Sequence, residues 1–226
     1  MSQTYGKTRW KRFALVMLPG IAATAAIGVS IADSALAASF SVSGQSFKVT
    51  TDHLTGINFA QFGSVDAETN GTLHPVAVSA FDTATIHNLC QSVVTDLSDF
   101  GLGKWTLVLN AGTAPEAAGD PAADPGQVQA TNLLIDLNQL NADATFTNIN
   151  IGQDAATLKG SATSGWKDIQ QHPKPTGAKG FAQAADKADL KNVQQTAYAT
   201  SAGTFKLPGL KLNINRGDGK AGGECY

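Results

Sequence analysis

Apolar and polar residues alternate along most of the chain, the two-residue period of strands with one buried face. Phe40, Val42 and then Phe47, Val49 and Thr51 carry the first run, with Gly44-Gln45 as a tight turn between its halves. Ile57 to Phe62 extends it, and Asn70-Gly71 is the strongest hairpin signal in the sequence. Pro75 opens the next strand, through Val76, Val78 and Ala80. Thr95 to Lys104 reads as a turn or a single helical turn. In the strand that follows, Trp105, Leu107 and Leu109 make one face and Thr106, Val108 and Asn110 the other. Further strands are predicted from Leu133 to Leu137 and, with Leu210, Leu212 and Ile214 on one face, near the C-terminus.

A short motif recurs on this background: Ala-x-apolar-x-Asn-apolar. It reads Ala84-Thr85-Ile86-His87-Asn88-Leu89, Ala144-Thr145-Phe146-Thr147-Asn148-Ile149 and Ala188-Asp189-Leu190-Lys191-Asn192-Val193. The first and third copies also agree at Asp82/Asp186, Gln91/Gln195 and Ser92/Thr196. The Ala and first apolar residue share one strand face, whereas the second apolar residue has the opposite parity. An Asn at a bend or bulge, in the left-handed region that Asn tolerates, accommodates the change. Phe181 to Leu190 alone reads as helix, because Ala182, Ala184, Ala185 and Ala188 are strong helix formers; its match to Phe81–Leu89 favours a strand. The fold class expected is all-β, a mostly antiparallel rolled sheet or sandwich after an N-terminal signal helix. An irregular β-solenoid is the alternative, and the unequal spacing of the copies, 60 and 44 residues, speaks against a regular one.

The ends of the chain change the picture. Lys7, Arg9, Lys11 and Arg12 precede an apolar run from Phe13 to about Ile31, and Ala35-Leu36-Ala37 supplies a small-x-small cleavage site. Residues 1–37 are therefore expected to be a signal peptide cut between Ala37 and Ala38, leaving 38–226 as one exported β-rich domain. An uncleaved N-terminal membrane anchor is the alternative, since the run is about as long as a bilayer requires. Without four basic residues and one acid, the remainder holds 12 Lys+Arg against 17 Asp+Glu, a net charge of −5. That lacks the basic stripe that nucleic-acid binding needs. Both cysteines, Cys90 and Cys225, fall in the exported part and are expected to pair. Segments 111–127 and 153–180, rich in Pro, Gly, Ala and Asp, are expected to be exposed flexible loops, the second holding Trp166.

Candidate chemistry is sparse. The mature chain has no Gly-x-Ser-x-Gly turn, no phosphate loop and no His-Glu-x-x-His. Ser161 and Ser164 lack a nucleophile motif, and His53, His74, His87 and His172 with the two cysteines offer no zinc spacing. No catalytic residue, metal or cofactor is assigned. The chain resembles a family of exported actinobacterial proteins of unassigned function, some of whose members are labelled cholesterol esterase. The resemblance rests on Thr8-Arg9-Trp10-Lys11-Arg12-Phe13-Ala14, Ala38-Ser39-Phe40, His74 to Ser79, Asn88 to Val93, Ala197 to Thr200, Gly203 to Leu207 and the ending Glu224-Cys225-Tyr226. It spans the chain outside the two loops, implies export and a Cys90–Cys225 pair, and supplies no catalytic motif residue by residue.

The expected function is a non-catalytic secreted or cell-envelope β protein that binds an apolar or lipid ligand, with a membrane or envelope partner as a further expectation. Ester hydrolysis, suggested by the family label, and a structural or surface-interaction role are the alternatives.

Overall fold

A computed structural model describes residues 42–115, 124–158 and 180–226. The signal segment expected over 1–37, its Ala37–Ala38 junction and Trp166 lie outside the described residues, as do 116–123 and 159–179 of the two expected loops. Nine antiparallel strands among the described residues form one sheet. They are β1 (Phe47–Ala67), β2 (Leu73–His87), β3 (Leu89–Asp96), β4 (Lys104–Ala111), β5 (Val128–Thr147), β6 (Asn150–Asp154), β7 (Phe181–Ser201), β8 (Thr204–Lys206) and β9 (Lys211–Arg216). Single 3-10 turns at Ser98–Phe100 and Ala155–Thr157 and a short helix α1 (Gly219–Gly222) complete the described elements. The sheet is rolled and is not a solenoid.

Four long strands close a ring, in which β1 pairs β2, β2 pairs β5, β5 pairs β7 and β7 pairs back to β1. Followed through directly opposed residues, the circuit Gly63–Ala77–Leu137–Ala197 returns to β1 at Phe47, not at Gly63. So large a stagger requires strands that wrap steeply about the axis, which lets few strands surround a core. The main core fills that interior with Leu54, Phe59, Phe81, Ile86, Leu133, Ile135, Leu190 and Val193. Beyond the ring, β3, β4 and β9 continue outward as an open wing.

The recurring asparagines are the bends that allow the roll. Asn88, Asn148 and Asn192 have φ of 55°, 54° and 52°, and Asn58 and Asn132 join them at 53° and 48°. All five stand in one relaxed pattern: Leu54-x-Gly56-x-Asn58-Phe59 and Val128-x-Ala130-x-Asn132-Leu133 repeat the arrangement with another residue in place of the Ala or the first apolar residue. At each Asn the left-handed residue turns the next apolar side chain back to the face just left. The opposing strand makes a matching three-residue stride, from Phe81 to Ala84 opposite Asn58, so the register is the same on both sides of the bend. The amide of Asn58 donates to Asp82 (2.6 Å), Asn88 to Asp52 (2.9 Å), Asn148 to Asp186 (2.7 Å) and Asn192 to Asp143 (2.8 Å).

The agreement between the first and third copies also has a physical cause. Both flank β1 and oppose the same residues of it: Gly56 faces Ala84 and Ala188, Val49 faces Gln91 and Gln195, and Lys48 faces Ser92 and Thr196. The C-terminal tail lies across that last row. Lys48 Nζ contacts Glu224 at 2.5 Å and donates to the Tyr226 carbonyl at 2.9 Å, while the Cys225 amide donates to Ser92 Oγ and the Tyr226 hydroxyl meets Thr196. Cys90 and Cys225 lie at disulfide distance, with Cα atoms 5.8 Å apart.

Phe181 to Leu190 is strand, as its match to Phe81–Leu89 favours and despite its alanines, because β1 pairs one edge of β7, β6 and β5 pair the other, and the small side chains fit a tight interior. Other local expectations are corrected. Pro75 lies inside β2 and does not open it. The buried face of β4 is Thr106 and Val108, with Trp105, Leu107 and Leu109 only half-buried. The C-terminal segment covers the former face, where Thr106 Oγ1 donates to the Gly217 carbonyl at 2.7 Å. The ends of the 111–127 loop are not exposed: Ala111, Asp124 and Gln127 are buried, and Gln127 Nε2 donates to the Ala114 carbonyl.

Candidate functional site

The rolled interior is not completely filled. A cavity of about 140 Å³ is lined by Leu54, Phe59, Phe81, Leu137 and Phe146, with Gln61, Ser79 and Gln195 as its polar groups. Its mouth lies along the second half of β5, where Leu140, Ala142 and Ala144 form one wall. Local sequence explains the space. Gly56 leaves room for the Phe81 ring, whose Cδ1 would stand 2.1 Å from a Cβ at that position. Phe81 and Phe146 then pack on either side of Phe59, with ring centroids 5.4 and 5.0 Å away. Aromatic walls with small alanines at the mouth leave a slot that no side chain of the lining closes.

Two of the cavity's polar groups, Gln61 and Ser79, are bound to each other. Gln61 Nε2 donates to Ser79 Oγ at 2.9 Å, and Gln183 Nε2 donates to Gln61 Oε1 at 2.5 Å. These three residues oppose each other on β2, β1 and β7. Ser79 is the only hydroxyl among the lining residues, and neither a histidine nor a carboxylate lines the cavity with it. It therefore lacks the neighbouring base that an attacking serine needs.

Two other clusters carry titratable groups. On β1 and β7, His53 Nε2 lies 3.1 Å from Asp189 and 3.3 Å from Thr55 Oγ1. A hydroxyl–imidazole–carboxylate relay needs its hydroxyl and its acid on opposite ring nitrogens; here both meet the same nitrogen, so the trio is a structural tie. Burial pushes the Asp189 carboxyl up, but the hydrogen bond and charge of His53, with Lys187 and Thr55, outweigh it and hold the group below its ordinary value. The second cluster borders the core on the other face of the sheet, formed by Phe62, Val76, Val78, Leu134 and Ala182. There His74 Nε2 meets Glu68 at 2.7 Å and its ring stacks on Tyr198 at 4.4 Å. Burial, and then the charge of Asp66, push Asp136 up to about 7. Among the described residues no group of three or more His, Cys, Asp or Glu is placed to hold a metal ion.

Cys90 and Cys225 are thus brought together, while Ala37 and Ala38 lie outside the described residues. Sequence reasoning missed the cavity and two bends. Asn132 was findable by letting the Ala of the motif become any apolar residue, since Val128 fills that place; Asn58 required, beside Leu54 in that place, a Gly at the first apolar position, Gly56. The cavity left no local signal, because its lining comes from four strands.

Fold and site together define an all-β protein with an apolar slot inside a closed, steeply coiled sheet. The chain belongs to a family of unknown function, DUF6230, whose family model matches residues 43–226. No curated protein and no solved structure matches it.

Proposed function

We propose that this is a non-catalytic exported or envelope protein whose sheet interior takes one apolar chain or ring. The observation that carries the reading is the slot itself, open at the Leu140–Ala144 edge and walled by Leu54, Phe59, Phe81, Leu137 and Phe146. Apolar cavities of about 150 Å³ stay dry and bind molecules the size of benzene. At about 140 Å³, the slot suits the end of an acyl chain or a single ring. It is too small for a fused-ring sterol, whose pocket would fall in the range of roughly 300–1,000 Å³ usual for larger ligands. That size, with Ser79 bound to Gln61 and no histidine among the lining residues, weighs against the cholesterol esterase label. Export is supported by the basic-then-apolar start of the chain and by the Cys90–Cys225 pair, which suits an oxidising compartment. No helix among the described residues is long and apolar enough to cross a membrane.

Organic extraction of protein purified from culture fluid, followed by mass spectrometry, is expected to release an apolar compound. Stripped protein should then bind a fluorescent fatty acid. Ala144→Trp, at the exposed mouth of the slot, should weaken that binding at least about tenfold without altering the fold. An empty extract together with no fatty-acid binding refutes the proposal. Labelling of a serine by a fluorophosphonate probe would replace it with the hydrolase reading.

A further inference from the structure

Gln91 and Gln195, where the first and third copies of the motif agree, stand on either side of Val49 on the inner face of the sheet. Both line a second, smaller hollow of about 20 Å³, which abuts the slot across Leu54, Ile135 and Gln195. Gln91 is half-buried. Gln195 is only 6% exposed and lines both hollows.

A buried amide is ordinarily tied to a partner, because a donor or acceptor left alone costs the desolvation of that group. Thr51, Ser79, Ser92, Thr106 and Gln127, also buried, each take part in a side-chain hydrogen bond. The Gln195 amide takes part in none among the described residues. Its neighbours on the inner face are apolar: Leu140 and Val49 stand opposite it, and Val193 and Ala197 lie two residues to either side along β7. A buried water takes about two to four polar partners, which these four do not offer. An oxygen carried on an apolar ligand needs only the one. Gln195 thus brings the donors and the acceptor of a primary amide to the wall of an apolar slot and leaves them to be met from outside the chain.

Charge narrows what meets them. No Lys, Arg, His, Asp or Glu lines either hollow. An ionised head taken inside would lose its hydration with no counter-charge in return, so a carboxylate or phosphate stays at the mouth. A hydroxyl or carbonyl enters without that penalty, and a primary amide can accept from the first or donate to the second. We infer that the ligand of the slot carries an uncharged oxygen function, a hydroxyl or carbonyl, and that the Gln195 amide binds it. The inference rests on the ligand reading above and adds the polar group that the site recognises.

The test is calorimetric titration of the stripped, secreted protein with ethylbenzene, benzyl alcohol and benzoate, three single-ring probes of nearly one size that differ in polarity and charge. Gln195→Met keeps the length of the side chain and removes its amide. Benzyl alcohol is expected to bind the variant at least about tenfold more weakly than wild type, and ethylbenzene equally well or better. Benzoate should bind wild type at least about tenfold more weakly than benzyl alcohol does. The empty variant should also melt about 2–4 °C higher, since it no longer buries an amide without a partner. Gln195→Leu repeats the measurement should the methionine variant fold poorly. Ethylbenzene and benzyl alcohol responding alike to the loss of the amide overturns the inference and leaves the ligand reading standing, as does benzoate binding as tightly as benzyl alcohol. Lower melting of both empty variants with unchanged affinities also overturns it and makes Gln195 a structural group. Binding of none of the three probes removes the ligand reading and this inference together.

Discussion

Replacing Asp136 with asparagine measures what it takes to hold a carboxyl against the second core. Asp136 opposes Val78 on β2 and Ala199 on β7, both buried, and so points to the face where Phe62, Val76 and Leu134 pack. Burial, reinforced by the charge of Asp66, moves its pKa from 3.8 to about 7. A raised pKa means that the folded chain holds this proton more tightly than the unfolded chain does. Below about pH 4 both states are protonated and the group costs nothing. Between about pH 4 and 7 the unfolded state ionises first, so stability falls as pH rises; above about 7 the full penalty is present. At 1.36 kcal/mol per pKa unit the interval from 3.8 to about 7 corresponds to about 4 kcal/mol. Asparagine carries no such titration. Urea unfolding of wild type and Asp136→Asn at pH 4, 6 and 8 should therefore give a difference that grows toward the variant by up to about 4 kcal/mol across that series. Taking the difference cancels the opposite trend from carboxylates held below their ordinary values, such as Asp189 and Glu224. The same difference at pH 4 and pH 8 would refute the reasoning, because a packing effect alone has no pH dependence.

Other substitutions address the bends, the slot and the clasp. Asn192→Ala should cost about 1–2 kcal/mol, because alanine at a φ of 52° meets the left-handed penalty and Asp143 loses its partner. Asn192→Gly should relieve the first cost and not the second, and equal melting of the two variants would sink the assignment of Asn192 as a strained bend. Gly56→Ala should destabilise by about 1–3 kcal/mol through overpacking against Phe81, with altered near-ultraviolet circular dichroism as Phe81 and Phe59 shift. Removing the sulfur link by Cys90→Ser with Cys225→Ser opens a loop of separation 135, for which the chain-entropy model gives about 5 kcal/mol. The denaturation midpoint should fall and amide exchange at Cys225 and Tyr226 should quicken; a variant as stable as wild type would show that the Lys48–Glu224 and Thr196–Tyr226 contacts hold the tail unaided.

The sequence alone determined the class of fold, because alternation with period two and turn pairs such as Asn70-Gly71 act over a few residues and need no partner. It also marked the bends at Asn88, Asn148 and Asn192: a change of parity across an Asn is a local conflict that only a left-handed residue resolves. What it left undecided was everything settled between strands. The strand state of alanine-rich Phe181–Leu190, to which only its match with Phe81–Leu89 pointed, is secured by edges offered by β1, β5 and β6, whose hydrogen bonds outweigh an intrinsic helix preference of tenths of a kcal/mol per residue. Which face of β4 was buried depended on a C-terminal segment about a hundred residues away, which covered Thr106 and left Leu107 and Leu109 toward the wing's open face. The slot, too, exists only once Phe59, Phe81 and Phe146 arrive from three strands, and the half-buried position of Asp136 only once β2 and β7 flank it. Local pattern sets backbone conformation residue by residue; burial, and the chemistry that burial creates, belongs to residues that meet only in the closed ring.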